Sequence, residues 1–330
     1  MRVVTLEEHF TVPALVHKHV SREAIAKRGF GQRSVLPGRI NPLDLLPEIG
    51  EARLTSMDAN GITVQVLSTS GPGADLAEGD DGIALARATN DALAEAIARH
   101  PSRFAGFAHL PMRMPEAAAR ELERAVRELK FCGAMINGTT DERFLDDPRF
   151  APILAAAEAL DVPIYIHPHL APEAVRKVYF ANLPSNSGAV LEGAGWGWHS
   201  ETGIHVLRLV LSGTLDRHRK LKLIIGHMGE GLPMMLARCD QVFEAYIPHL
   251  QRPISQAILE QVWITTSGIF SQPPFLAALM TFGIDRIMYS VDYPYAPNER
   301  GQAFLRELSL PPADVARIAH GNADRLLRLT

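Results

Sequence analysis

The sequence predicts a closed (β/α)8 barrel, and three observations carry that reading. Eight short runs rich in β-branched and apolar residues recur along the 330 residues. Most are nearly continuous in apolar character, as strands covered on both faces are. Longer stretches with apolar residues at three- and four-residue steps separate most of them, the alternation of a parallel α/β sheet. An open doubly wound sheet would normally show a Gly-rich phosphate turn after its first strand, and none is present.

In chain order the strand runs lie at 3–6, 62–67, 104–110, 133–136, 163–166, 221–225, 262–266 and 287–291. Helical periodicity covers 81–100, 115–129, 148–160, 203–215, 232–246, 274–282 and 302–308. Pro115 stands in a first turn, where its missing N–H is harmless. Two connections, 10–49 and 170–200, are too long for simple loops. Both follow strand runs, so a barrel places them over its C-terminal mouth, where long segments commonly serve as lids or binding walls. Residues 1–330 therefore read as one barrel domain with two insertions near the mouth.

Composition narrows the function. With 47% hydrophobic and 21% charged residues, the chain is an ordinary globular protein long enough to bury a large core. A net charge of -4 offers no basic field for nucleic acid. Two cysteines, Cys132 and Cys239, make neither a disulfide framework nor a thiolate metal site, and they suit a reducing, cytoplasmic compartment. The first ten residues, MRVVTLEEHF, carry two Glu and a His where a signal peptide needs an apolar stretch. No apolar run approaches the roughly 18 residues of a membrane span.

Polar residues collect at the strand ends. The first run ends in Glu7-Glu8-His9, and the period of two turns Glu7 and His9 one way and Glu8 the other. The fifth ends in His167, followed by Pro168. The sixth ends in His227, with Glu230 three residues on. The eighth, in "YSVDYPY", ends at Asp292. A barrel brings all these ends to one rim. Each residue alone has a plain structural reading. A lone histidine is more often a core group than a ligand, and Asp292 can simply cap the turn before Pro294. His100, His205, His218, His249 and His320 lie within or beside helical segments and read as such ordinary groups. Glu, His and Asp converging from four strand ends instead suit a borderline-hard divalent metal. The "GAGWGWHSETG" stretch sets Trp196 and Trp198 between glycines, either to pack the second insertion onto the barrel or to wall a ligand.

These residues also carry a resemblance. "LEEHF" (6–10), "RLTSMDANGI" (53–62), "GAMING" (133–138), "IYIHP" (164–168), "GHMGEGLP" (226–233), "SVDYPY" (290–295) and "AHGNADRLLRL" (319–329) form an ordered set spanning the chain. In these motifs the sequence resembles the amidohydrolase superfamily. Within it, the likeness is to metal-dependent decarboxylases of hydroxybenzoates such as γ-resorcylate and 2,3-dihydroxybenzoate. The resemblance implies metal ligands at Glu7, His9, His167 and Asp292. It implies a catalytic His227 backed by Glu230, no organic cofactor, and a homodimer or homotetramer. Two features set the chain apart from binuclear hydrolases of the superfamily. Its first motif is Glu-x-His where those typically have His-x-His. Its fourth strand ends Met135-Ile136-Asn137, with no Lys to be carbamylated. One divalent ion, Zn2+ or Mn2+, is therefore expected. Tyr295 matches a position where related enzymes hold the substrate ring with Phe, but Ala296 follows where an acidic residue is common.

The resulting expectation is a non-oxidative decarboxylase of a small hydroxylated aromatic acid. Asp292 is the expected proton donor to the ring carbon, with His227 and Glu230 assisting. Arg238 is a candidate partner for a carboxylate in the site or at a subunit contact, or a plain surface residue. The second reading is a mononuclear hydrolase of a lactone, ester or amide, in which Asp292 activates a water. A non-catalytic metal-binding barrel is the third. The Glu7-x-His9 motif favours decarboxylation.

Overall fold

A computed structural model describes residues 1–27 and 41–329. All the strand ladders are parallel. β1 (Val4–Phe10), β2 (Val64–Thr69) and β3 (Phe104–Gly106) pair in that order. β4 (Ala134–Asn137), β5 (Pro163–His167), β6 (Lys222–Ile225), β7 (Val262–Thr265) and β8 (Ile287–Met288) form the second sheet, also in order. Two seams join the sheets into a barrel. Beyond β3, Ala108 bridges to Ala134; Ala108 N donates to Gly133 O at 2.8 Å and Met135 N to Ala108 O at 3.2 Å.

The seam between β8 and β1 is sealed largely by side chains. Ser290 Oγ accepts from Leu6 N (3.1 Å) and Glu7 N (2.7 Å) and donates to Glu8 Oε1 (3.0 Å). The Glu8 carboxylate accepts from Val291 N (3.0 Å) and Tyr293 N (3.1 Å), and His9 N donates to Tyr293 O at 2.7 Å. Burial pushes the Glu8 pKa up to about 7, against these hydrogen bonds. Glu8 faces away from the mouth, as the period of two predicts, and its work is closure.

All eight predicted strands form, with shifted ends. β1 runs on to Phe10, so Glu7 and His9 lie inside the ladder rather than beyond it. The regular ladder of β8 stops at Met288, because Ser290 and Glu8 replace backbone partners there. The helix predicted at 203–215 starts earlier, as Gly197–Leu211, followed by Thr214–Arg217. Its glycine-rich start hid it: a Cβ on Gly197 would stand 2.4 Å from Glu192 O, so the helix begins against preceding backbone that only Gly tolerates. The helices Glu51–Ala59 and Ile254–Gln261 carried no prediction. In the first, a buried Arg53 stands where an apolar residue would signal the core. It donates to His9 O (2.6 Å), Glu48 O (2.9 Å) and Gln65 Oε1 (3.2 Å), and so ties its helix to β1.

The two long insertions contain helices. The first holds Pro13–His19, Arg22–Lys27 and Pro42–Leu45; its stretch 28–40 lies outside the described residues. The second holds Glu173–Tyr179, Ser187–Glu192 and the first turn of Gly197–Leu211.

Alternation along the strands, interrupted in β1 by a register shift between Thr5 and Glu8, divides the core in two. Leu6, Val66, Met135, Tyr165, Ile224 and Met288 share one buried cluster, the plug of the barrel. Ile164, Ile166, Leu223, Ile225, Ile264 and Ile287 face the opposite way into a larger cluster beneath the helices. Tyr165 belongs to the plug and His167 follows two residues later, so the plug lies directly beneath the polar mouth. Among the described residues, no helix is long and apolar enough to cross a membrane.

Candidate metal centre

Glu7 and His9 of β1, His167 at the end of β5 and Asp292 just beyond β8 converge. Each offers one ligand atom, and these atoms all lie within 4.8 Å of one another. His9 Nε2 is 3.2 Å from Asp292 Oδ1, and His167 Nε2 is 3.4 Å from Glu7 Oε1. The two imidazoles meet edge to face, with centroids 4.7 Å apart.

A supporting layer aims the donors. Ser68 Oγ lies 3.2 Å from His9 Nδ1, leaving Nε2 to face the centre. The Tyr165 hydroxyl donates to Glu7 Oε2 and contacts Thr265 Oγ1 at 2.9 Å, leaving Glu7 Oε1 free. Gly226 is required beside it, because a Cβ there would stand 2.5 Å from Glu7 Oε2. Glu7 Oε1 and His9 Nε2 are buried with no hydrogen-bond partner among the described residues. Buried polar atoms are normally partnered, so two orphans facing a cluster of further donors fit a bound cation.

Asp292 answers its capping question with its backbone. At a left-handed φ of 74°, its carbonyl accepts from Ala296 N at 2.9 Å and closes the turn. The carboxylate stays in the site. Burial opposes its ionisation, but His227 and His9 outweigh burial and hold Asp292 well below the usual carboxylate range. Glu7 is pushed the other way, chiefly by its complete burial. Burial, reinforced by His9, drives His167 well below the ordinary imidazole range.

His227 enters from a strained turn. His227, Met228 and Glu230 have φ of 50°, 56° and 55°, a left-handed stretch unusual for non-glycine residues. The turn brings His227 Nε2 to 3.8 Å from Asp292 Oδ2 and 3.9 Å from Glu7 Oε1. His227 thus stands beside the four donors. Burial disfavours its charge, but Glu230, Glu7 and Asp292 raise its pKa well above the ordinary value. Behind it, Glu230 Oε1 lies 2.8 Å from His227 Nδ1, and Glu230 Oε2 lies 2.6 Å from His199 Nδ1. The sequence reading grouped His199 with the tryptophans of its stretch and gave it no role of its own.

The remaining predicted residues differ in their surroundings. The Tyr295 ring lies 5.6 Å from that of His9, edge-on, with its hydroxyl 2.7 Å from Ser70 Oγ. Trp198 is half-buried in the first turn of its helix, whereas Trp196 is 63% exposed. Arg238 is exposed and donates to Gln241 Oε1 at 3.0 Å on its own helix.

A parallel barrel whose mouth gathers two carboxylates and two imidazoles about one point is the framework of a barrel metalloenzyme. The amidohydrolase family profile matches residues 14–329, and the chain belongs to that family. Decarboxylase orsB of Emericella nidulans is 38% identical over 99% of this chain and 97% of its own length. The γ-resorcylate decarboxylase of Rhizobium radiobacter is 35% identical, covering 99% and 98%. Among solved structures, the dihydroxybenzoic acid decarboxylase of Polaromonas sp. JS666, with bound manganese and the inhibitor 2-nitroresorcinol, superposes with a TM-score of 0.85. It is 34% identical, over 99% of this chain and 97% of that one.

Proposed function

We propose that the protein is a metal-dependent, non-oxidative decarboxylase of a small hydroxylated aromatic acid of the γ-resorcylate type. The observation that carries this reading is the convergence of Glu7, His9, His167 and Asp292 beside the His227–Glu230 pair. It occurs in a chain whose relatives over nearly its full length are named decarboxylases, which favours this reaction over hydrolysis. We assign the four converging residues as ligands of one divalent ion. Manganese is the preferred ion, since the Polaromonas relative holds it and carboxylate and imidazole donors suit it. Such an ion supplies Lewis-acid charge that favours an ionised ortho oxygen and anchors the carboxylate.

Loss of CO2 requires a proton at the ring carbon that bears the carboxylate. The C–C bond then breaks, its electron pair restores the aromatic ring, and CO2 departs. Asp292 is assigned as the proton carrier. It is ionised at rest, so it must take up a proton before giving one, and its low proton affinity then makes it a strong acid. His227 Nε2, 3.8 Å from Asp292 Oδ2 and oriented by Glu230, is the neighbour able to hold the ring hydroxyl and exchange a proton with Asp292. Tyr295 and Trp198 are assigned to flank the ring. Trp196 and Arg238, both exposed, fit that site less well than a contact with another copy.

Metal-loaded protein supplied with γ-resorcylate and its isomers should release CO2. Hydrolysis of lactones or esters with no CO2 from any hydroxybenzoate would overturn the reading. We also assign a homodimer or homotetramer. Val178, Tyr179, Leu183, Val190, Leu191 and Trp196 are all exposed on the second insertion, an apolar stretch suited to burial against another copy. Sedimentation should give a mass of two or four chains; a monomer at every concentration would reject this. The free, buried cysteines Cys132 and Cys239 support a cytoplasmic location.

A further inference from the structure

We propose that His199 is a positioning residue for His227, acting through Glu230 and tying the second insertion to the reacting site. The proposal rests on the decarboxylase reading only for its kinetic test.

An imidazole attached through a single bond can present either nitrogen to the site. The 2.8 Å bond from His227 Nδ1 to Glu230 Oε1 fixes the ring so that Nε2 faces Asp292. That bond is only as firm as Glu230 itself. The Glu230 side chain is fully buried, so a carboxylate oxygen left without a partner would be costly and free to turn. His199 Nδ1 holds the second oxygen at 2.6 Å, and its other nitrogen is anchored 3.1 Å from Ala194 O. One carboxylate is thereby clamped between two imidazoles whose ring centroids lie 4.7 Å apart.

The three residues also group closely enough to suggest a second metal cage, with donor atoms within 4.8 Å. The spacing argues against it. Tetrahedral ligands at about 2.0–2.1 Å from an ion stand roughly 3.3 Å apart, whereas 2.6 and 2.8 Å are hydrogen-bond lengths.

His199 lies in the first turn of Gly197–Leu211, whose start is set by the close approach of Gly197 to Glu192 of the preceding helix. The path therefore runs from the placement of the insertion, through His199 and Glu230, to the orientation of His227. An ordinary structural histidine would affect only folding. A positioning one makes its effect depend on Glu230.

The test compares His199→Ala, His199→Gln, Glu230→Gln and the Ala/Gln double variant, all matched for bound metal. His199→Ala is expected to lower kcat about 10-fold with KM little changed, in the range found for lost orienting partners. His199→Gln, whose amide can still donate to Glu230, should recover most of it. Adding His199→Ala to Glu230→Gln should cost little more, because the path is already cut. Without substrate, and with diamagnetic zinc in place of paramagnetic manganese, the downfield proton resonance of the His227 Nδ1–H should be lost in Glu230→Gln and displaced in His199→Ala. That signal is independent of whether hydroxybenzoates are substrates, so it separates this proposal from the decarboxylase reading. Wild-type kcat with an unmoved resonance in His199→Ala would overturn the proposal. So would fully multiplicative effects in the double variant, or a Gln variant as poor as Ala. If His199→Ala does not fold, His199→Asn, too short to reach Glu230, takes its place with the same expectations.

Discussion

Asp292 does two jobs with two parts of one residue. Its carbonyl closes the turn at Ala296 N, and its carboxylate meets His9 and His227. Asp292→Asn keeps the first job and removes the second, since an amide neither carries the proton nor ligates as an anion. The variant should fold normally and lose at least about 10²-fold in decarboxylation, the lower range for a lost general acid. Near-normal turnover with metal bound would leave only the turn role. His167→Ala tests the metal assignment separately. Elemental analysis should fall from about one ion per chain to much less, because a site with three remaining donors binds far more weakly; full retention would strike His167 from the set. These residues were legible in the sequence because each follows a strand run by a fixed step. Tyr165, Ser68 and His199 were not. Tyr165 read as strand interior and Ser68, one residue past the run 62–67, carried no reading; their roles exist only once neighbouring strands are in register. His199 meets Glu230 across 31 positions, a distance that no local pattern encodes.

At the scale of the element, helix Gly197–Leu211 carries a second histidine, His205. His205 is buried, and its Nε2 accepts from Leu145 N at 2.9 Å, which pins the preceding loop to the helix. Burial drives its pKa down to about 3, with Asp146 only partly opposing. An acceptor nitrogen must be neutral, so the fold disfavours the charged form. The unfolded chain takes up that proton near the ordinary histidine value of about 6.5. The stabilisation is therefore complete above about pH 6.5 and is lost as pH falls toward 3. Between pH 7 and pH 5 the loss is about 2 kcal/mol. His205→Gln retains an acceptor without the titration. In urea unfolding, wild type should lose about 2 kcal/mol more than His205→Gln over that interval; equal losses would reject the assignment. The sequence reading of His205 as an ordinary helix group agrees with this buried, satisfied place. Helix Glu51–Ala59 escaped the same reading because its inward face carries Arg53, whose partners on β1 and β2 make burial tolerable.

At the scale of the whole molecule, three of the four assigned ligands sit where the barrel is least regular. β1 and β8 meet through Ser290, Glu8 and one backbone bond, without the ladder that joins β4 to β5 or β5 to β6. Glu7 and His9 lie on one side of that seam, Asp292 on the other, and His167 comes from β5 across the mouth. An ion held by all four would clip the seam and link the two sheets. Binding only the folded form, it stabilises by about 4 kcal/mol at a free concentration a thousand times its Kd. With an unfolding entropy near 2.1 cal/mol/K per residue, a 330-residue chain should then melt about 6 °C higher with metal than after chelation. The comparison should be made on one preparation, stripped and then reloaded, so that reversal of the shift excludes damage by the chelator. His167→Ala should show little or no shift on adding the same metal. A wild-type melting temperature unchanged by stripping, with one ion per chain verified before and none after, would mean that the ion does not bind the folded form selectively. The four residues would then have to be assigned to different roles.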